Sequence, residues 1–237
     1  MGNVYYTGSL TPNSGSAVDP NEIPAGTVYE GKFSELPQFF ASLEGKYCPT
    51  PVIYKITEDE AIEGALGNLI INNSNIPEVI IDVNEKTITY TSTGNYQRFI
   101  ILQSINSTIS LINGTFTLSN PSANPATLIT FSGAVPLSNT QGIVSNCTFN
   151  NASDGAITAM RGAKVLIQNV EIKSVSRIGS GVVAYDAGYV VVMNSIMHNI
   201  VNACFALDGG FLQACNLTLS SITTNYSTNT GGQILHD

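Results

Sequence analysis

Four stretches decide the fold: Gly142-Ile143-Val144-Ser145-Asn146, Lys164-Val165-Leu166-Ile167-Gln168-Asn169, Val190-Val191-Val192-Met193-Asn194 and Phe211-Leu212-Gln213-Ala214-Cys215-Asn216. Each is a run of strand formers closed by asparagine, and the asparagines at 146, 169, 194 and 216 are 23, 25 and 22 positions apart. A second strand follows each one: Cys147-Thr148-Phe149, Val170-Glu171-Ile172, Ser195-Ile196-Met197 and Leu217-Thr218-Leu219. Each unit then runs through a variable loop and a third strand to a glycine, at 162, 188, 210 and 232. Three short strands in a period near 23 predict one coil of a right-handed parallel β-helix, whose coils bury their apolar faces only by stacking. The asparagines are expected to form an internal ladder, each bonding its equivalent one coil away. The glycines are expected at corners that need φ > 0 or close backbone approach. A leucine-rich repeat would need a Leu-rich consensus and a helical segment per repeat. A β-sandwich has no reason to repeat asparagine at this period.

Upstream, the repeat fades into strands of the same kind. Asn113, in Ser110-Leu111-Ile112-Asn113-Gly114, reads as an earlier ladder member. Val52–Ile56, Asn68–Ile71, Val79–Asp82, Thr87–Tyr90, Phe99–Leu102, Thr108–Ile112 and Leu128–Phe131 are strand-like and bounded by turn formers. Before them, Leu36, Phe39, Phe40 and Leu43 fall at i, i+3, i+4 and i+7, the stripe of a short helix from about Ser34 to Lys46. Ser34 is placed to cap its start and Gly45 to end it, with Pro37 tolerated in the first turn. The chain divides into an arm (1–32), a capping helix (33–48) and the β-helix (49–237). The arm reads either as a disordered terminus or as a segment that docks on a larger assembly.

The 237 residues carry 9 Lys+Arg and 17 Asp+Glu, a net charge of −8, and only 11% are charged. So few bases argue against nucleic-acid binding, and the acidic balance argues against an anionic membrane. There is no apolar run long enough for a transmembrane helix. The 24 asparagines suggest a surface that works by hydrogen bonds. No charged side chain occurs between Arg98 and Asp154, which suits strand faces that stack on one another or on neutral sugars. Met1 to Leu10 lacks the basic and apolar regions of a signal peptide. Cys48, Cys147, Cys204 and Cys215 have no metal-site spacing and are expected as free thiols, with a Cys204–Cys215 disulfide as the alternative. Leu235-His236-Asp237 is not an evident cap, so either the chain is a fragment or a partner covers that end.

The Asn-bearing coils and terminal glycines of residues 142–232 resemble the pectin-lyase-like β-helix superfamily. The order of helix at Phe33-Ser34-Glu35-Leu36, then strand at Val52–Ile56, then coils, is similar to the helix-capped start of viral tail-spike and virion-surface β-helix proteins. The resemblance implies a virion or extracellular surface protein and a homotrimer or larger assembly. It also implies polysaccharide as a partner and, in the members that cleave it, clustered acids on an outer face.

Tyr185-Asp186 and Leu207-Asp208 occupy one place in successive coils, 22 residues apart. Stacking brings their carboxylates near each other, where Asp186 and Asp208 could act as acid and base or bind a hard cation such as Ca²⁺. The simpler reading is turn chemistry, since each aspartate is followed by glycine within two residues. No resident cofactor or metal is expected. Tyr185, Tyr189, Asp154 and Arg161 are the candidate carbohydrate contacts. Lys164, Glu171, Lys173 and Arg177 read as a solvated face. Sequons begin at Asn72, Asn106, Asn113, Asn146, Asn151, Asn216 and Asn225, and a glycan would not fit on an internal ladder. Two functions remain: a non-enzymatic structural or adhesion protein, or a lyase or hydrolase acting on a surface polysaccharide.

Overall fold

The computed structural model describes residues 5–7, 19–71, 75–121, 124, 126–133, 140–174 and 179–237. The chain is a parallel β-solenoid of about eight turns. Each coil lays down three strands, on faces we label A, B and C. Face A stacks Val52–Ile56, Glu78–Asp82, 108–112, 141–145, Lys164–Gln168, 189–193, 211–215 and Gln233–His236, all parallel. Face B follows a bend and stacks Glu60–Glu63, Thr87–Thr91, 115–118, 148–150, Glu171–Lys173, 196–198 and 218–220. Face C is a separate seven-stranded sheet running from Gly67–Ile71 through Gln97–Ser104, Ala126–Ser132, Gly155–Met160, Ser180–Tyr185 and Asn202–Leu207 to Thr224–Asn229. Every strand anticipated from the sequence lies in one of these stacks.

Side chains alternate in and out along each strand, and the inward columns are apolar. On face A they are Val79 and Ile81, Ile109 and Leu111, Val165 and Ile167, Val190 and Val192, all at most 2% exposed. On face B, Phe116 lies over Phe149 with ring centroids 5.4 Å apart and planes at 12°. Each such side chain is worth about 1.5–3 kcal/mol of transfer free energy, so the stacked interior holds coils that could not fold singly.

The helix is shorter than its apolar stripe suggests. A 3₁₀ turn at Phe33–Glu35 leads into an α-helix at Leu36–Ser42. Lys32, rather than Ser34, precedes the first turn, and the Ser34 amide instead donates to Glu60 Oε2 at 2.9 Å. Leu43 falls in the turn that follows, which runs to Gly45 at φ 71°. Leu36, Phe39, Phe40 and Leu43 are all buried. Phe33 lies against Phe99 and Phe116, with centroids 5.8 and 5.6 Å away. The helix therefore covers the interior where faces B and C begin. Face A continues past it, because Val28–Gly31 pairs with the strand at Val52–Ile56 and Tyr5–Thr7 pairs with Val28–Gly31. Part of the segment read as an arm thus extends the sheet. Of the remainder, 19–27 and 32 are described and 1–4 and 8–18 lie outside the described residues. All four cysteines are free, and Cys48, Cys147 and Cys204 are buried. Among the described residues no helix is long and apolar enough to cross a membrane.

Candidate functional site

The geometry of the corners decides where side chains point. Asn113, Asn146, Asn169, Asn194 and Asn216 share one left-handed bend between faces A and B, with φ of 58°, 53°, 53°, 51° and 51°. An L-residue adopts that region at a cost, and asparagine tolerates it best after glycine. The ladder exists in part: Asn216 Nδ2 donates to Asn194 Oδ1 at 2.7 Å and Asn146 Nδ2 to Asn113 Oδ1 at 3.3 Å. Asn113 Nδ2 in turn donates to Asp82 Oδ1 at 3.1 Å. The expectation that this ladder is internal is overturned. Asn146, Asn169, Asn194 and Asn216 are exposed, and the inward position belongs to the next residue, such as Cys147, Val170 or Ser195. A left-handed residue turns its side chain out while the strand alternation resumes one place later. The steric argument against a glycan at Asn146 or Asn216 therefore falls. Asn72 lies outside the described residues.

The corner between faces C and A holds a second left-handed pair. Register makes Met160, Tyr185, Leu207 and Asn229 equivalent. The following pairs are Arg161-Gly162, Asp186-Ala187, Asp208-Gly209 and Thr230-Gly231, all with φ between 47° and 79°. Gly162 is thus one place out of step with the expected glycine column. Its true members are Gly188, Gly210 and Gly232, opposite Ala163. They serve close approach, since a Cβ on Gly210 would lie 2.2 Å from the Ala184 carbonyl oxygen.

Asp186 and Asp208 do occupy successive corners. Both are exposed, as is Arg161 at the same place one coil earlier. Among the described residues the ion pairs are Lys32–Glu58, Lys173–Glu171 and His198–Glu171, so none joins these corner charges. The two aspartates line neither of the grooves described below. The other four candidates separate. Tyr189 starts the next face A strand, 38% exposed, and stacks on Phe211 with centroids 5.0 Å apart and planes at 5°. Asp154 and Tyr185 instead meet in a groove of about 200 Å³ on face C.

That groove also takes in Arg98, so the two charges that bound the uncharged stretch in sequence are brought together. Thr127 Oγ1 donates to Asp154 Oδ2 at 3.0 Å. Val183, Phe205 and Leu207 form its apolar wall. Arg98 and Phe205 escaped the sequence reading because the register of the C strands, which unites them, is not visible before the loop lengths are known. A second groove, of about 460 Å³, follows the A/B bend and is polar, lined by Asp82, Glu85, Asn113, Thr115, Asn146 and Thr148.

On face B, Glu171 sits between Lys173, at 3.0 Å, and His198, at 3.0 Å. The hydrogen bond and charge of Lys173, then the contact with His198, hold its carboxyl below the ordinary glutamate range. Lys164 is exposed and Arg177 lies outside the described residues. Burial pushes the thiols of Cys147 and Cys204 up to about 12, so neither is a ready nucleophile or metal ligand. Among the described residues no three His, Cys, Asp or Glu side chains converge to hold a metal ion. The chain matches no protein-family model, no curated protein and no solved structure.

Proposed function

We propose that the chain is a non-enzymatic structural or adhesion protein of a virus particle or cell surface, akin to the β-helices of viral tail spikes. In this reading it assembles side by side, as a homotrimer or larger assembly, through uncharged sheet faces. The observation that carries the reading is the outward side of face A. Its register aligns Ile80, Ser110, Ile143, Leu166 and Val191 in one column. The apolar members of that column are only half-buried, beside the Tyr189–Phe211 ring stack. A shallow groove of about 350 Å³ runs between Ile143, Leu166, Val191 and Tyr189. Among the described residues Lys164 is the only charge on its rim. A chain with net charge −8 repels its own copies except across such a neutral surface, so a second copy is the partner this face suits best.

Light scattering at micromolar concentration tests this. The wild type is expected at a multiple of 25.1 kDa, and Leu166→Lys with Val191→Lys at a lower multiple with an unchanged circular dichroism spectrum. A monomeric wild type would remove the assembly reading. The rival, a polysaccharide lyase or hydrolase, rests on the stacked corners of Asp186 and Asp208. Cleavage of any member of a glycan panel, lost in Asp186→Asn/Asp208→Asn, would put that reading first.

A further inference from the structure

We propose that the face C groove is a binding site for a single acidic sugar residue, with Arg98 taking its carboxylate and Asp154 its hydroxyls. The inference deepens the adhesion reading by giving it a receptor chemistry. The site is built rather than incidental. Thr127, Thr158 and Ser180 are 3%, 7% and 6% exposed, so their hydroxyls sit on a nearly buried floor. The floor exists because Gly155 lies in the column between Thr127 and Ser180. A Cβ there would stand 3.1 Å from Thr158 Oγ1 and 3.2 Å from Val183 Cγ2, both lining residues.

The charges select the ligand. Among the described residues no carboxylate lies within 4.0 Å of the Arg98 guanidinium, so its paired N–H groups are open to a ligand carboxylate in a bidentate contact. Asp154 uses one oxygen on Thr127 and keeps acceptor capacity for sugar hydroxyls. Its negative charge disfavours a dianionic phosphate in the same space. Tyr185 and Phe205 are in the lining, and aromatic side chains suit the apolar C–H side of a sugar. A volume of about 200 Å³ lies below the 300–1,000 Å³ typical of drug-sized sites and suits one ring rather than an extended chain.

The test is a chemical-shift titration of the full chain with glucuronate, galacturonate and N-acetylneuraminate, against glucose, galactose and inorganic phosphate. At least one acidic sugar is expected to bind about tenfold tighter than its neutral counterpart, with shifts centred on Thr127, Gly155 and Phe205. Arg98→Gln is expected to erase the preference for acid, and Gly155→Ala to weaken every sugar. Arg98 is half-buried and forms no ion pair among the described residues, so its variant is expected to keep the fold and to remain informative if Gly155→Ala does not. Three results would each overturn the proposal: no acidic sugar binding, neutral sugars binding equally well, or phosphate binding as tightly as the uronates. None of them bears on the oligomeric state, which is read on face A.

Discussion

Asn216 donates its side-chain amide to the side-chain oxygen Oδ1 of Asn194 at 2.7 Å across one coil, and both backbones sit at φ 51°. The contact lies on the solvent side of the bend. It links two residues whose first task is to hold a left-handed corner. The ladder bond and the backbone conformation are therefore separable contributions, and substitutions can divide them.

Asn194→Ala loses both, and is expected to destabilise by about 1–2 kcal/mol from the left-handed backbone together with the lost hydrogen bond. Asn194→Gly keeps the conformation freely and loses only the bond, so it should cost clearly less. Urea melts of the two variants check the order. Equal losses would mean that the amide bond, not the backbone, dominates the corner.

The glycine column makes a sharper contrast. Gly210→Ala would press a methyl to 2.2 Å from the Ala184 carbonyl oxygen, and backbone cannot yield there without moving a coil. Its neighbour Gly209 has φ 75° and nothing within 4 Å of the added atom. Gly209→Ala should therefore cost about 1–2 kcal/mol, and Gly210→Ala more than that, with loss of soluble protein as its extreme. Expression yield and thermal melts of the pair decide the point.

The same two corners show how far the sequence could be read. The period of 22 to 25 gave the coil because stacking imposes one register on every strand, and the asparagines mark that register. Strand positions followed wherever apolar residues alternate. The sequence could not tell inside from outside at the bend. A left-handed residue breaks the alternation, so Asn146 turns out and Cys147 turns in. It also misplaced Gly162 by one residue, because two glycines follow Asp208 and only strand pairing shows that Gly162 matches Gly209 and not Gly210. The face C groove was half legible. Asp154 and Tyr185 were recognisable by type, but Arg98 joins them only through two strand registers spanning a loop of irregular length.

Glu171 gives a pH dependence with a definite sign. Lys173 and His198 lower its folded pKa, so the stabilisation is present above the unfolded value of about 4.3 and is lost as pH falls through the folded value. The group is about one-third exposed, so the effect is small. Lys173→Met removes the larger cause. Its Glu171 carboxyl should titrate closer to the ordinary value by NMR, and its melting temperature should fall less than the wild type's as pH drops below about 4.3, because a smaller shift leaves less stability to lose. An unchanged Glu171 titration would show that the pair at 3.0 Å does not persist in solution.

The thiols test the solenoid interior directly. Cys147 and Cys204 face inward, and burial holds their pKa near 12, so at pH 8 they are neutral as well as inaccessible. Cys48 is 1% exposed, whereas Cys215 is only partly buried on the outer side of face A. A disulfide reagent at pH 8 should therefore modify at most one thiol in the native chain, at Cys215, and all four after denaturation. Cys215→Ser should abolish the native reaction. If Cys147 or Cys204 also reacts in the native protein, the coils around it open on the timescale of the reagent. The packed interior would then be less stable there than its uninterrupted apolar columns imply.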